Sequence, residues 1–255
     1  MKIKKILFSQ NAPANLEKTP YADLMKKYGV KIDFYKFFQV EGLPLKEFQK
    51  SKVNILDYSA IIITNKNAVD HFFRIVEESK IKLPITLKFF CSNPATANYL
   101  QKYTVYRKRK IFFAEDGTVQ ALVKEVAKYA ETDNFLVPCP TDSSLNELLK
   151  LIDSIPNINY TKAEMFKIVF PDMSQSVHIN DYDMIVLFSP YGVQSLFQSF
   201  PAYQQDNTIF AVSGLKVLTA AQEGGLNVEI WAPQPETPSI FMALEKFLQN
   251  TNRKR

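Results

Sequence analysis

Short apolar runs alternate along this chain with longer stretches in which apolar residues recur every three or four positions, the pattern of βα units that feed a parallel sheet. Ten runs read as strands: residues 5–8, 30–35, 60–63, 88–91, 110–114, 134–137, 159–167, 184–188, 208–212 and 228–232. Residues 67–79, 96–102, 118–129, 145–153, 193–199, 215–224 and 239–250 carry apolar positions at helical spacing and read as the crossover helices. Ten strands suit two sheets of five.

The chain also repeats itself. Residues 60–73 (AIIITNKNAVDHFF) align with 184–197 (MIVLFSPYGVQSLF), which pairs Asn65 with Ser189, Ala68 with Gly192 and Val69 with Val193. Residues 91–100 (CSNPATANYL) align with 212–221 (VSGLKVLTAA), and in each case another strand and helix follow, the helix introduced by Thr118 or Ser239. Self-similarity over about 125 residues marks a diverged duplication of a domain-sized unit. Residues 34–42 and 165–174 fall where the halves join, each running from a strand into polar or Pro-containing sequence. Lacking Gly-rich or Ser-rich composition, they read as a double crossover of extended strands rather than a loose tether. Hinge motion between the lobes is expected.

With 255 residues, 46% of them hydrophobic and 22% charged, the chain has enough apolar side chains for a sizeable core. After the basic residues 1–5 only Ile6, Leu7 and Phe8 precede Ser9, Gln10 and Asn11, too short an apolar run for a signal-peptide core. No stretch approaches the roughly 20 apolar residues that span a bilayer. The reading is a cytoplasmic protein with no membrane partner. Cys91 and Cys139 have no CxxC spacing, which argues against a zinc site or a disulfide framework. His71 and His178 are the only histidines, so a His-rich metal centre is excluded and nucleophile–histidine catalysis has little to build on. Cys139, between Pro138 and Pro140, reads as a structural thiol because no base is paired with it.

The net charge of +5 mildly favours anionic partners. Cations cluster only at Arg107, Lys108, Arg109 and Lys110 and in the tail Arg253, Lys254 and Arg255, read as a solvated turn and a frayed end. Most aromatics fall in strand-like runs instead of interleaving with basic residues on an exposed face, so no nucleic-acid partner is expected. The turn after Phe8 has no glycine, against a dinucleotide fold, and no acidic cluster marks the strand ends as a phospho-receiver would require.

Pro20, Tyr21, Ala22, Leu24, Tyr28, Gly29, Val30, Lys31, Ile32, Asp33 and Phe34 resemble the first helix and second strand of the uroporphyrinogen-III synthase family, particularly its Bacteroidetes versions. Asp57 precedes an apolar strand, and Thr64, Asn65, Lys66, Asn67, Ala68 and Val69 resemble the family's Thr-Ser-x-Asn-Ala-Val turn. Ser189, Pro190, Tyr191, Gly192 and Val193 resemble its Ser-Pro-x-Gly-Val turn, and Ala232, Pro233, Pro235, Pro238 and Ser239 its closing turn. The resemblance covers essentially the whole chain, and order and spacing carry it more than any single motif. It implies an α/β protein of two similar lobes, each a five-stranded parallel sheet flanked by helices, flavodoxin-like, joined by a double crossover. The lobes implied are residues 1–36 with 173–255, and residues 37–172.

The resemblance further implies a lyase of tetrapyrrole biosynthesis, cyclising hydroxymethylbilane with loss of water and inversion of the terminal pyrrole ring to give uroporphyrinogen III. No cofactor or metal is implied, and a monomer is the expected state. Because the substrate is a polycarboxylate, helix N-termini at the carboxyl ends of the strands suit it. The residues placed there are Thr64, Asn65, Lys66, Asn67, Asn93, Thr96, Thr118, Ser189, Pro190, Tyr191, Gly192, Ser213, Gly214, Lys216 and Ser239. Ser, Thr and Asn at these places also read as plain helix N-caps. Lys66 and Lys216 could pair with carboxylates, Tyr191 and Thr96 are the candidate catalytic groups, and Gly192 reads as a tight turn or a close backbone approach.

Several positions depart from the family pattern. Phe166 stands where members commonly have a tyrosine thought to assist water loss, Val217 replaces a threonine, Asn65 a serine, and residues 138–142 (PCPTD) a Gly-Glu-x-x-Arg-like turn. These losses define the alternative: a catalytically degenerate relative that binds a tetrapyrrole or another polyanion without turnover.

Overall fold

The computed structural model of the chain describes residues 2–105, 109–142 and 146–252, with only the backbone of Asn146. Arg107, Lys108, the tail Arg253, Lys254 and Arg255, and Leu145 at the start of one expected helix lie outside the described residues. In chain order come β1 (Lys5–Phe8), α1 (Pro20–Tyr28), β2 (Lys31–Phe34), β3 (Gln39–Gly42), α2 (Leu45–Lys50), β4 (Ala60–Ile63), α3 (Lys66–Glu78), β5 (Lys88–Cys91) and α4 (Pro94–Leu100). Next are β6 (Ile111–Phe113), α5 (Val119–Ala127), β7 (Asn134–Pro140), α6 (Asn146–Asp153) and β8 (Asn159–Val169). The last are β9 (Met184–Leu187), α7 (Pro190–Ser199), β10 (Ile209–Ser213), α8 (Leu215–Glu223), β11 (Val228–Ala232) and α9 (Ile240–Asn252). Two compact units result, Met1–Gln39 with Val169–Arg255, and Val40–Ile168.

The first unit holds a sheet ordered β11-β10-β9-β1-β2, and the second a sheet ordered β3-β8-β7-β4-β5-β6. Without β3 the two orders superpose: β9 corresponds to β4, β10 to β5, β11 to β6, β1 to β7 and β2 to β8. The repeat therefore extends through the topology, with the chain's first two strands completing the sheet that its last three build. Even the entry turns match, since short 3₁₀ turns at Ile55–Asp57 and Ile179–Asp181 lead into β4 and β9.

Parallel sheets covered on both faces demand strands apolar on both faces. β4 and β9 meet that demand, buried at every position. Alternation then sorts the side chains. Ile61 and Ile63 join a core with Phe72 and Phe166, whereas Ala60 and Ile62 join one with Phe90 and Phe135. In the first unit Met184 and Val186 face Phe8 and Leu244, while Ile185 and Leu187 face Val193 and Phe210. α3 shows why the helical spacing was legible: Ala68, Val69, Phe72, Phe73, Ile75 and Val76 are its buried stripe.

The expectation of two five-stranded sheets is corrected in the second unit, whose sheet has six strands among the described residues. β8 runs 11 residues, and the crossover strand β3 lines its outer edge, with Leu43 N–H donating to Met165 C=O at 2.9 Å. The sequence QVEG contains one apolar residue, too little alternation to announce a strand. The short α2, which buries only Phe48, was likewise silent. α4 and α7 begin earlier than their apolar spacing suggested because Pro94 and Pro190 occupy the first helical position, where a missing N–H costs nothing.

Candidate active site

In a parallel sheet all carboxyl ends lie along one edge, so register decides which turns become neighbours. In the second unit Ile63 pairs with Cys91 and Cys91 with Phe113, which sets the turns after β4, β5 and β6 side by side. Thr64, Asn65, Lys66, Asn67, Asn93, Thr96 and Thr118 all belong to this rim. In the first unit Leu187 pairs with Val212 and Ser213 with Ala232, bringing together Ser189, Pro190, Tyr191 and Gly192, then Ser213, Gly214 and Lys216, then Ser239.

Most of the polar members cap helices. Asn65 accepts from Ala68 N–H at 3.0 Å, Asn93 from Thr96 N–H at 2.8 Å, Thr118 from Ala121 N–H at 3.1 Å, Ser189 from Tyr191 N–H at 3.2 Å and Ser239 from Met242 N–H at 3.3 Å. Each cap satisfies one of the donors a helix start leaves without an intrahelical partner, and is worth about 1 kcal/mol. Other first-turn N–H groups, those of Lys66 and Asn67 among them, keep their donor direction and the positive end of the helix dipole.

The second rim is tied together internally. Ser92 Oγ donates to Thr64 C=O at 2.6 Å and accepts from Asn93 Nδ2 at 3.1 Å, while Asn65 Nδ2 donates to Thr64 Oγ1 at 3.2 Å. Thr118 is fully engaged, because its hydroxyl also donates to Asp116 Oδ1 at 2.9 Å. Backbone and side-chain hydrogen bonds from Thr118 hold the Asp116 carboxyl below its usual range. Thr118 is thus a cap with no donor left for a ligand. Lys66 lays its ammonium 5.2 Å from the ring centre of Tyr99, whose phenol donates to Asp70 at 2.9 Å. Lys216 is exposed at the start of α8.

Two sequence readings meet the structure here. Thr96 is 4% exposed, its side chain packed inside its unit. Gly192 lies inside α7, and a Cβ there would meet Ser9 Oγ at an ordinary 3.6 Å, so neither a tight turn nor a close approach explains it. Of the two glycines among the expected site residues, the one whose backbone requires glycine is Gly214, whose φ of 104° and ψ of 145° belong to a region essentially closed to other residues. Tyr191 packs its ring against both crossover segments of its unit, 5.4 Å from Phe38 and 6.3 Å from Phe170.

Phe166 lies on β8, 2% exposed and stacked at 5.0 Å on His71. Burial first, and then the neighbouring Arg74, push the His71 pKa down. Arg74 donates to His71 Nδ1 at 3.3 Å, Leu43 C=O at 2.8 Å and Met165 C=O at 3.2 Å, fastening β3's exit to β8. Cys91 and Cys139 are buried, and burial pushes their thiols up to about 12 and about 11 respectively, so neither is a ready nucleophile. Among the described residues no group of three or more His, Cys, Asp or Glu side chains could hold a metal ion, and no helix is long and apolar enough to cross a membrane.

Sequence reasoning missed Ser9 and Gln10. In each sheet the strand order reverses at one point, between β1 and β9 and between β7 and β4, and ligands of open α/β sheets favour the carboxyl side of such points. Ser9 N–H donates to Val186 C=O at 3.0 Å, which sets the β1 turn directly beside the Ser189 turn. Only topology identifies this position.

A family model described as "HEM4: Uroporphyrinogen-III synthase HemD" matches residues 19–242. No curated protein matches significantly. Among solved structures, a mutant uroporphyrinogen III synthase from the extremely thermophilic bacterium Thermus thermophilus is similar at a TM-score of 0.65, with 11% identity over 97% of this chain and 99% of that one. Uroporphyrinogen-III synthetase from Helicobacter pylori 26695 is similar at a TM-score of 0.58, with 15% identity over 97% of this chain and 100% of that one. At such identities the structural likeness speaks for the fold.

Proposed function

This chain belongs to the uroporphyrinogen-III synthase family, and from that premise we propose that it cyclises hydroxymethylbilane to uroporphyrinogen III, a lyase reaction that removes water and inverts the terminal ring. The family match over residues 19–242 carries the reading. The capped helix starts on the two carboxyl-end rims support it, because they offer a polycarboxylate backbone N–H groups and positive helix ends without a buried charge.

In this reading each unit contributes binding groups on its own rim, Asn65, Lys66, Asn67 and Asn93 in the second unit and Ser189, Tyr191, Ser213, Gly214, Lys216 and Ser239 in the first. The substrate's own hydroxymethyl group ionises to an azafulvene, so the protein's principal task is to hold the chain with the right ring carbon against the electrophile. Phe166 has no proton to donate, and its burial against His71 makes it part of the packing. Any acid that assists water loss is another group.

The test is to give the purified protein freshly made hydroxymethylbilane, oxidise the products and separate the uroporphyrin isomers. Dominant isomer III establishes the activity. Isomer I alone, the product of spontaneous closure, refutes it.

A further inference from the structure

The chain's basic character is concentrated. From Ser79 to Ala114 the sequence has eight Lys and Arg residues, at 80, 82, 88, 102 and 107–110, and no Asp or Glu. That stretch carries +8 against +5 for the whole chain, leaving −3 (5 − 8) for all the rest. It covers β5, α4 and β6, and topology places Lys82 and Lys110, just ahead of β5 and β6, at the edge of the sheet where those strands begin, opposite the rim that holds Asn65 and Asn93.

Some of this charge is locally matched. Lys88 pairs with Asp133 at 2.5 Å, Lys102 lies 3.1 Å from Tyr99 Oη, and Asp70 and Glu77 of α3 act on the neighbouring Tyr103. Lys80, Lys82, Arg109 and Lys110 have no carboxylate partner among the described residues. Lys110 Nζ instead donates to Thr86 C=O at 3.1 Å, which holds the two loops together.

Between these cations lies a groove of about 170 Å³ lined by Leu83, Pro84, Ile85, Leu87, Phe89 and Val105 with Lys110. Ile85 is 72% and Val105 77% exposed, the two most exposed large apolar side chains of the described residues. Protruding aliphatic tips backed by unmatched cations have a definite complement. Nucleic acid would call for aromatic faces on which bases stack, and neither tip supplies one. An anionic lipid surface takes aliphatic tips below its headgroups and cations among them.

We propose that this face of the second unit lies on the surface of anionic membranes, a peripheral contact that needs no spanning helix. It is independent of the proposed catalytic reaction, since it engages the opposite edge of the sheet.

The experiment is flotation of the full-length protein with phosphatidylglycerol-rich vesicles and, in parallel, with pure phosphatidylcholine vesicles, at low and high salt. Binding is expected only to the anionic vesicles and is weakened by salt. Replacing both Lys82 and Arg109 by Gln should weaken it about 25-fold, at roughly five-fold per surface cation. Ile85→Asp with Val105→Asp should weaken it at least ten-fold; both sites are exposed, so folding and cyclisation rate should stay as in the parent. Equal binding to neutral vesicles, no binding to anionic ones, or parent-like binding by both variants would overturn the proposal. Binding to single-stranded nucleic acid with the same sensitivity to Lys82 and Arg109, in place of vesicle binding, would overturn it too.

Discussion

A cap and a ligand contact make different demands on Asn65, and one substitution separates them. Asn65→Asp keeps the acceptor that Ala68 N–H uses at 3.0 Å, and a carboxylate at the start of the 13-residue α3 gains about 0.3–1 kcal/mol from the helix dipole. Stability should therefore hold or rise slightly. Asn65→Ala loses the cap and should cost about 1 kcal/mol. Binding should respond in the opposite sense. A substrate carboxylate on the free N–H groups of Lys66 or Asn67 would lie roughly 6 Å from the new charge, and at an effective dielectric of about 40 the repulsion is about 1.4 kcal/mol. That predicts a KM for hydroxymethylbilane about ten-fold higher in Asn65→Asp with kcat nearly unchanged, the difference shrinking as salt shortens the screening length. Asn65→Ala should raise KM far less. The assay is initial-rate cyclisation at two ionic strengths, alongside urea unfolding of all three proteins. A KM in Asn65→Asp equal to the parent's, with stability retained, would refute the placement of substrate carboxylates on this rim.

Asp133, 6% exposed, accepts from Lys88 at 2.5 Å, Ser59 at 2.6 Å and Thr132 at 3.1 Å, joining the entries to β4, β5 and β7. Asp133→Ala should cost about 3 kcal/mol in urea unfolding, a loss below 1 kcal/mol being the contrary result. Burial pushes the Asp133 carboxyl up, but the hydrogen bonds and charge of Lys88 and the hydroxyls outweigh it and leave the pKa lowered. A depressed folded-state pKa means the carboxylate's contribution is complete above the unfolded value of about 3.9 and disappears as pH falls through the lower folded value, so the parent's advantage over Asp133→Ala should vanish only in strong acid. Gly214→Ala should cost about 2 kcal/mol from backbone strain alone, since the nearest atom to a new Cβ would be Val217 Cγ2 at 3.9 Å; thermal unfolding at the parent's midpoint would contradict this. Cys91 and Cys139 should stay unmodified by a thiol reagent at neutral pH until denaturant is added, and rapid labelling of the native protein would show the burial to be wrong.

Much of the fold was legible because the physics involved is local. Every predicted strand core and crossover helix corresponds to an element, because a strand buried on both faces must be apolar throughout, as in Ala60–Ile63, and a helix packed on one face must show a stripe, as in α3. The duplication was legible for the same reason, each copy obeying the same local rules. β3 was not, because what makes QVEG a strand is the free edge of β8 beside it. The rim turns were visible as cap residues after apolar runs, yet their chemistry was not. Thr118 reads like Ser189, and only the structure commits its hydroxyl to Asp116.

The class of fold, the repeat, the positions of most caps and the resemblance that the family match supports all follow from spacing along the chain. Tertiary structure alone decided that β3 joins the edge of β8, that Ser9 stands beside the Ser189 turn, that Thr96 is buried, and that Gly214 and not Gly192 has a backbone conformation that calls for glycine. Those facts depend on strand order and register between residues up to 180 positions apart (189 − 9), which no local pattern encodes.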